Sequence, residues 1–211
     1  MVELNSDAAG GDRTNVRENS VSLVTEEEAE GRVAEFYRTI RAEREGELDE
    51  DLGLNKLWLL LGNDPDLLKV VWDHMHHMYH GGEIPFELKS KISLVVASVM
   101  ECEACKFFHE STLENLGIDE SAIEDLKGLE IRETGFSPSE EVVLKFAQKA
   151  TENPHAITDT DLEALRELGF SEAELLEILD CIAIHVYTAV LQAISGIVYP
   201  GMSREEWTTL A

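Results

Sequence analysis

Basic residues are scarce in this chain. Its 211 residues include 17 Lys and Arg against 43 Asp and Glu, a formal net charge of −26 at pH 7. A surface of that sign repels phosphate backbones and anionic lipid, so neither nucleic acid nor a membrane surface is an expected partner. Cysteine is scarce too. Three residues, Cys102, Cys105 and Cys181, do not make a disulfide framework. None is needed, because the length is ample for a hydrophobic core. No apolar run follows basic residues near the N-terminus, so no signal peptide is expected. No segment reads as long enough to span a membrane. The expected location is the cytoplasm, with the thiols normally reduced.

Convincing alternation over strand length is also missing, which makes the expected fold all-α. The best strand candidate, the β-branched run from Ile92 to Val99, has helical flanks. The five prolines fall at the edges of predicted elements. Asp64-Pro65, Ile84-Pro85 and Ser137-Pro138 open helices, Asn153-Pro154 closes one, and Pro200 follows the last. The reading places a flexible tail at 1–24, one all-α domain at 25–201 and a C-terminal tail at 202–211.

Within the domain, Thr25 with Glu28 has capping-box spacing and predicts a helix whose apolar stripe is Ala29, Val33, Phe36, Tyr37 and Ile40. Leu54 to Leu61 is a short apolar run. The next helix buries Leu67, Leu68, Val71, Met75 and Met78 and stops at Gly81-Gly82. Leu88, Ile92, Val95, Val96 and Val99 form the face of a helix that runs toward Cys102, with or without a break at Met100-Glu101, and the pattern continues to Gly117. A short helix over 119–126, a loop over 127–136, a helix from Ser137, a short helix capped by Asp159 or Thr160, and a long apolar helix from Ser171 to Gly196 complete the chain. The step from Cys102 to Gly117-Ile118 equals that from Cys181 to Gly196-Ile197, a faint internal echo.

Chemistry concentrates at Cys102, Cys105 and His109, spaced C-x-x-C-x-x-x-H. On a helix these three share a stripe. Two thiols three apart can close a disulfide, and a histidine one turn on can take and return a proton. Two unremarkable thiols or a metal site are the plainer readings. Zinc would need a fourth ligand from elsewhere, such as Cys181 or His185. His74, His76, His77 and His80 decorate one helix, and His76 and His80 have the spacing to share an ion, with Asp73 the adjacent carboxylate. Cys181 and His185 sit among Ile, Val and Ala, as buried core residues do.

With Pro85-Phe86-Glu87-Leu88 before the cysteines, His109 through Gly117 after them, and Asn153-Pro154-His155-Ala156-Ile157-Thr158 further on, the chain resembles the carboxymuconolactone decarboxylase and alkylhydroperoxidase D (AhpD) superfamily. The likeness is to its peroxidase-related, CxxC-bearing branch. The resemblance implies an oligomeric all-α fold and a thiol oxidoreductase that reduces peroxides, reset by an external dithiol, with no cofactor. It implies Cys105 as the peroxidatic thiol, Cys102 as the resolving thiol and His109 in the proton relay. The family's relay glutamate falls on Ser90 here, and Glu87, one turn earlier, is the candidate replacement. A lactone decarboxylase-type lyase and a non-catalytic redox-sensing or zinc-binding module are the alternatives. A homo-oligomer is expected because the long helix after Ser171 is apolar on more than one face, so that it or the Leu54–Leu61 run would meet a neighbour.

The acidic residues are spread over nearly every segment, which fits a surface solvated in concentrated salt better than a tail for a basic partner. The melting temperature should therefore rise steeply with KCl, past the range where simple screening saturates. A melting temperature flat from low to molar KCl would favour the partner-binding surface instead.

Overall fold

Ten consecutive residues, 89–98, are buried on all sides, although Lys89, Ser90, Lys91, Ser93 and Ser98 are among them. A helix buried all round is the centre of its fold. The computed structural model describes residues 21–43, 54–131 and 135–197. Among them the elements are α1 (Gly31–Glu43), α2 (Lys56–Leu61), α3 (Pro65–His80), α4 (Phe86–Val99), α5 (Glu103–Asn115), α6 (Glu120–Lys127), α7 (Pro138–Glu152), a 3₁₀ turn (Pro154–Ala156), α8 (Asp159–Glu167) and α9 (Glu172–Ser195), with no strand. The buried stretch belongs to α4, which packs on α5, α6, α7 and α9, with α3 along one edge. Residues 1–20 of the expected 1–24 tail, the 202–211 tail and residues 44–53 lie outside the described residues, while the end of the first tail is joined to the domain, Val24 N–H bonding Leu59 O at 3.0 Å.

Most polar groups of α4 find partners, although Ser98 Oγ is buried without one. Ser90 Oγ donates to Phe86 O at 2.8 Å and Ser93 Oγ to Lys89 O at 2.7 Å, each one turn back along the helix. Lys89 Nζ donates to Gly81 O at 2.7 Å and lies 3.3 Å from Glu177 of α9. The Glu177 carboxylate also accepts from the backbone N–H of Glu83 and Ile84, tying the α3–α4 turn to α9. Burial raises the Glu177 carboxyl, but these backbone donors and Lys89 outweigh it and hold the group below its ordinary range. Satisfied in this way, an ammonium group can remain deep inside.

Most helix starts follow the sequence. Ser137 with Glu140 and Ser171 with Glu174 form reciprocal capping boxes, and Asp64 caps α3 ahead of Pro65. Two starts differ. Thr25 and Glu28 do make the box contacts, but these close a turn, and α1 begins at Gly31, whose φ of 53° interrupts the chain. Thr158, with Asp161, caps α8 in place of Asp159 or Thr160.

Two surface expectations also change. The Leu54–Leu61 run is buried inside the chain, with Leu57, Trp58 and Leu61 each at 5% exposure or less, so it is not available to a neighbour. α9 is long and apolar enough, by length and composition, to cross a membrane, where the sequence reading expects no such segment; half of its most apolar stretch is buried in this fold. The outward stripe of the same helix carries Leu176, Leu179, Tyr187, Val190 and Ile194.

Candidate functional site

α4 does not run on into the cysteines. Glu101 takes a left-handed φ of 51°, its N–H bonds Ser98 O at 3.1 Å, and Cys102 N–H reaches back to Ala97 O at 2.9 Å. This is the Schellman ending, in which glycine normally supplies the left-handed residue. Gly117, Gly169 and Gly196 fill that position after α5, α8 and α9. A side-chain-bearing residue there costs roughly 1–2 kcal/mol. The break makes Cys102 the extended N-cap of α5 and places Cys105 in that helix's first turn. The expected single stripe through Cys102, Cys105 and His109 is therefore modified. Cys105 and His109 share a helix face, and Cys102 approaches from the end.

Cys102 and Cys105 are joined as a disulfide, with their Cα atoms 5.2 Å apart. They occupy a small apolar cluster of their own with Ala97, Ala104 and Ala189, against Met100. They are 7% and 6% exposed, so a reactant must be small or must reach the sulfurs through a narrow opening. Cys102 contributes no side-chain cap, so the first turn of α5 turns its positive end toward the sulfurs. From α9, Gln192 donates its side-chain amide to Cys105 Sγ at 3.1 Å.

His109 is buried, with its ring edge-to-face against His185 of α9 at a centroid distance of 4.9 Å. His185 is itself fully engaged. Its Nδ1 lies 2.7 Å from Cys181 O, which can only accept, so Nδ1 carries the proton. Nε2 then accepts from the Tyr79 hydroxyl at 2.9 Å, and Ser93 Oγ stands 3.3 Å from Nδ1. Burial pushes the His185 imidazole down to about 4 and the Cys181 thiol up to about 12. At neutral pH, His185 is an uncharged wall for His109, and Cys181 is an inert core thiol.

Glu87 lies elsewhere. It is half exposed and pairs with Lys91 at 2.6 Å, and Lys91 also reaches Glu140 of α7 at 2.5 Å. The helical step that puts Glu87 one turn before Ser90 is as expected, but Lys91, one turn beyond Glu87, holds its carboxylate at the α4–α7 seam. Glu103 is tied to Lys106 at 2.5 Å and Glu110 to Lys127 at 2.8 Å. His74 bonds Asp180 of α9 at 2.8 Å, while His76 meets Glu43 at 3.0 Å and stacks on His80. Among the described residues no three of His, Cys, Asp and Glu converge into a metal-binding group.

Gln192, Tyr79 and Ser93 are contributions that the sequence does not announce. The one available signal is Gln192 itself, an amide on the inward face of an otherwise apolar helix.

No protein-family model matches this chain, and no curated protein matches it in sequence. Solved structures share its fold. An uncharacterized peroxidase-related protein from Silicibacter sp. TM1040 superposes with a TM-score of 0.71 at 19% identity, covering 90% of this chain and 96% of that one. The alkylhydroperoxidase AhpD core of a peroxidase-related protein from Ralstonia eutropha JMP134 gives 0.70 at 18% identity, covering 82% and 90%. The debrominase Bmp8, in complex with 2,3,4-tribromopyrrole, gives 0.65 at 18% identity, covering 82% and 94%. The fold is thus the all-α, AhpD-like one.

Because the folded-state pKa of His185 is depressed, folding holds this group neutral where the unfolded chain takes a proton. The stability it contributes is present above about pH 6.5 and is lost as pH falls toward about 4, at roughly 1.4 kcal/mol per pH unit. Urea midpoints measured in fixed KCl should fall over this window in the wild type, and His185→Gln should flatten the slope. Equal slopes in the two proteins would contradict a buried neutral imidazole.

Proposed function

We propose that this chain is a thiol-dependent peroxidase of the AhpD-like type, cycling between the Cys102–Cys105 dithiol and disulfide. The supporting observation is the disulfide itself, set in the first turn of a helix with an amide donor on Cys105 and a buried histidine one turn on. The peroxidase-related names of two proteins with the same fold point the same way.

In this reading the Cys105 thiolate attacks one oxygen of a peroxide. An S–O bond forms, the O–O bond breaks, and His109 gives the departing alkoxide or hydroxide its proton. Cys102 then attacks the Cys105 sulfenic sulfur, closing the disulfide and releasing water. Two electrons and two protons from an external dithiol restore the pair. His109 takes the initial proton from the thiol. His185 and Tyr79, which commit their own polar atoms to each other and to Cys181 O, orient the His109 ring without competing for that proton. Glu87 has no part in this scheme.

The debrominase with the same fold supplies a second substrate class to assay, a brominated aromatic ring. A lactone decarboxylase-type lyase would leave the thiol pair unexplained. A redox-sensing or zinc-binding module would form the disulfide, or hold metal, without turnover.

The reading includes a homo-oligomer. The uncharged stripe of α9, Leu176 to Ile194, is suited to a second copy because it lets two highly acidic chains meet without bringing carboxylates together. Light scattering at micromolar concentration in high KCl should give a multiple of the monomer mass, and a clean monomer contradicts it.

The deciding assay is peroxide consumption in high KCl with a dithiol reductant, alongside zinc analysis of the purified chain. Cys105→Ser should abolish turnover. Cys102→Ser should stop it after one equivalent, and His109→Gln should slow it by on the order of a hundredfold. Glu87→Gln should retain nearly full rate. No consumption by the reduced wild type, or unchanged activity in Cys105→Ser, would end the peroxidase reading.

A further inference from the structure

α5 and α9 present matched pairs of side chains to each other. Cys105 and His109 are four apart on one face of α5, while His185 and Gln192 are seven apart on one face of α9. They meet in opposite order along the two helices, Gln192 on Cys105 and His185 on His109. The backbone at Gln192 is anchored. Its carbonyl accepts from Ile197 N at 3.2 Å and Ser195 Oγ at 3.2 Å, within the ending that Gly196 closes. The side chain is 6% exposed.

A buried amide N–H directed at a disulfide sulfur is poorly used, because such a sulfur is a weak acceptor. A thiolate in the same place is a strong one, and bonds to charged acceptors are about twice as strong as neutral ones. The amide is therefore matched to the reduced state. Resting on the peroxidase reading above, we propose that Gln192 is a catalytic residue whose side-chain amide binds the Cys105 thiolate and makes Cys105, rather than Cys102, the nucleophile.

The surroundings leave room for this role. From α4 the sulfurs meet Ala97 and Met100, and from α9 Ala189 and Gln192. Besides the two cysteines, the titratable groups of α5 and its lead-in are Glu101, Glu103, Lys106, His109, Glu110 and Glu114. Lys106, the cation nearest in sequence, is held by Glu103, and Lys127 of α6 is held by Glu110 and Glu124. Behind His109 stands His185, uncharged at neutral pH. Stabilisation of a thiolate at Cys105 thus falls to neutral donors, namely the first turn of α5 and the Gln192 amide, together with the proton held by His109.

The test uses the full chain in the Cys102→Ser background, which leaves Cys105 as the one thiol of the site. The Cys105 titration is followed by thiolate ultraviolet absorbance and by the pH dependence of iodoacetamide alkylation. Gln192→Met keeps the volume and removes the donor. It should move the Cys105 titration upward by on the order of one pH unit, with alkylation at neutral pH falling about tenfold and recovering in base. Gln192→Glu should move it further upward. In ¹⁵N-labelled Cys102→Ser protein with Gln192 intact, the Gln192 side-chain amide resonances should follow the same titration. That measurement stands whether or not the variants fold well. A Gln192→Met titration identical to its parent, or amide resonances that ignore the thiol, would overturn the assignment. Thiol titration needs no peroxide, so a shifted titration without peroxide turnover overturns the peroxidase reading while the thiolate contact stands. Turnover with an unmoved titration overturns the role of Gln192 alone.

Discussion

The left-handed backbone at Glu101 is the constraint from which the site follows. If α4 continued in register, Cys102, Cys105 and His109 would ride out along one long helix. The Schellman turn at 100–102 instead ends α4, frees Cys102 to act as N-cap and sends α5 back along α4. That reversal brings Cys105 under Gln192 and His109 against His185. The chain places glutamate where α5, α8 and α9 place glycine, so the turn is held by packing on both sides more than by local preference.

Charge is handled in opposite ways inside and outside the molecule. Among the described residues no Asp or Glu is buried. Beyond the small apolar cluster that holds the thiols, the interior polar groups are nearly all uncharged: Ser90 and Ser93 bond backward along α4, His185 is held neutral by burial, and Gln192 offers an amide. Lys89 and Lys91 are the buried exceptions, Lys89 matched by Gly81 O and Glu177 and Lys91 by Glu87 and Glu140. In a chain so acidic, activation of a thiolate by fixed neutral dipoles has a physical advantage. Solvent salt does not screen such donors, whereas a surface lysine is screened and already paired.

Much of this was legible in the residues. The all-α class, the helix starts at Ser137 and Ser171, and α3 between Asp64-Pro65 and Gly81 all follow from local rules that the packed structure does not override. The thiol pair and His109 were legible as a spacing. What spacing cannot show is the partner across a helix interface. Gln192 is 87 residues from Cys105, and Tyr79 is 106 from His185. Glu87 illustrates the opposite case, since its place on α4 was readable but the pull of Lys91 and Glu140 decided where the carboxylate went. α1 is a third kind of case, in which a correct capping box was followed by Gly31, whose positive φ delayed the helix by a turn.

The central claim is that Cys105 is the atom that peroxide oxidises. It is tested most directly by treating the reduced Cys102→Ser chain with one equivalent of peroxide, in the presence of a sulfenic-acid trapping reagent, and locating the adduct by peptide mass spectrometry. The account predicts one adduct, on Cys105, with Cys181 unmodified. An adduct on Cys181, or peroxide left unconsumed with no adduct, would contradict it.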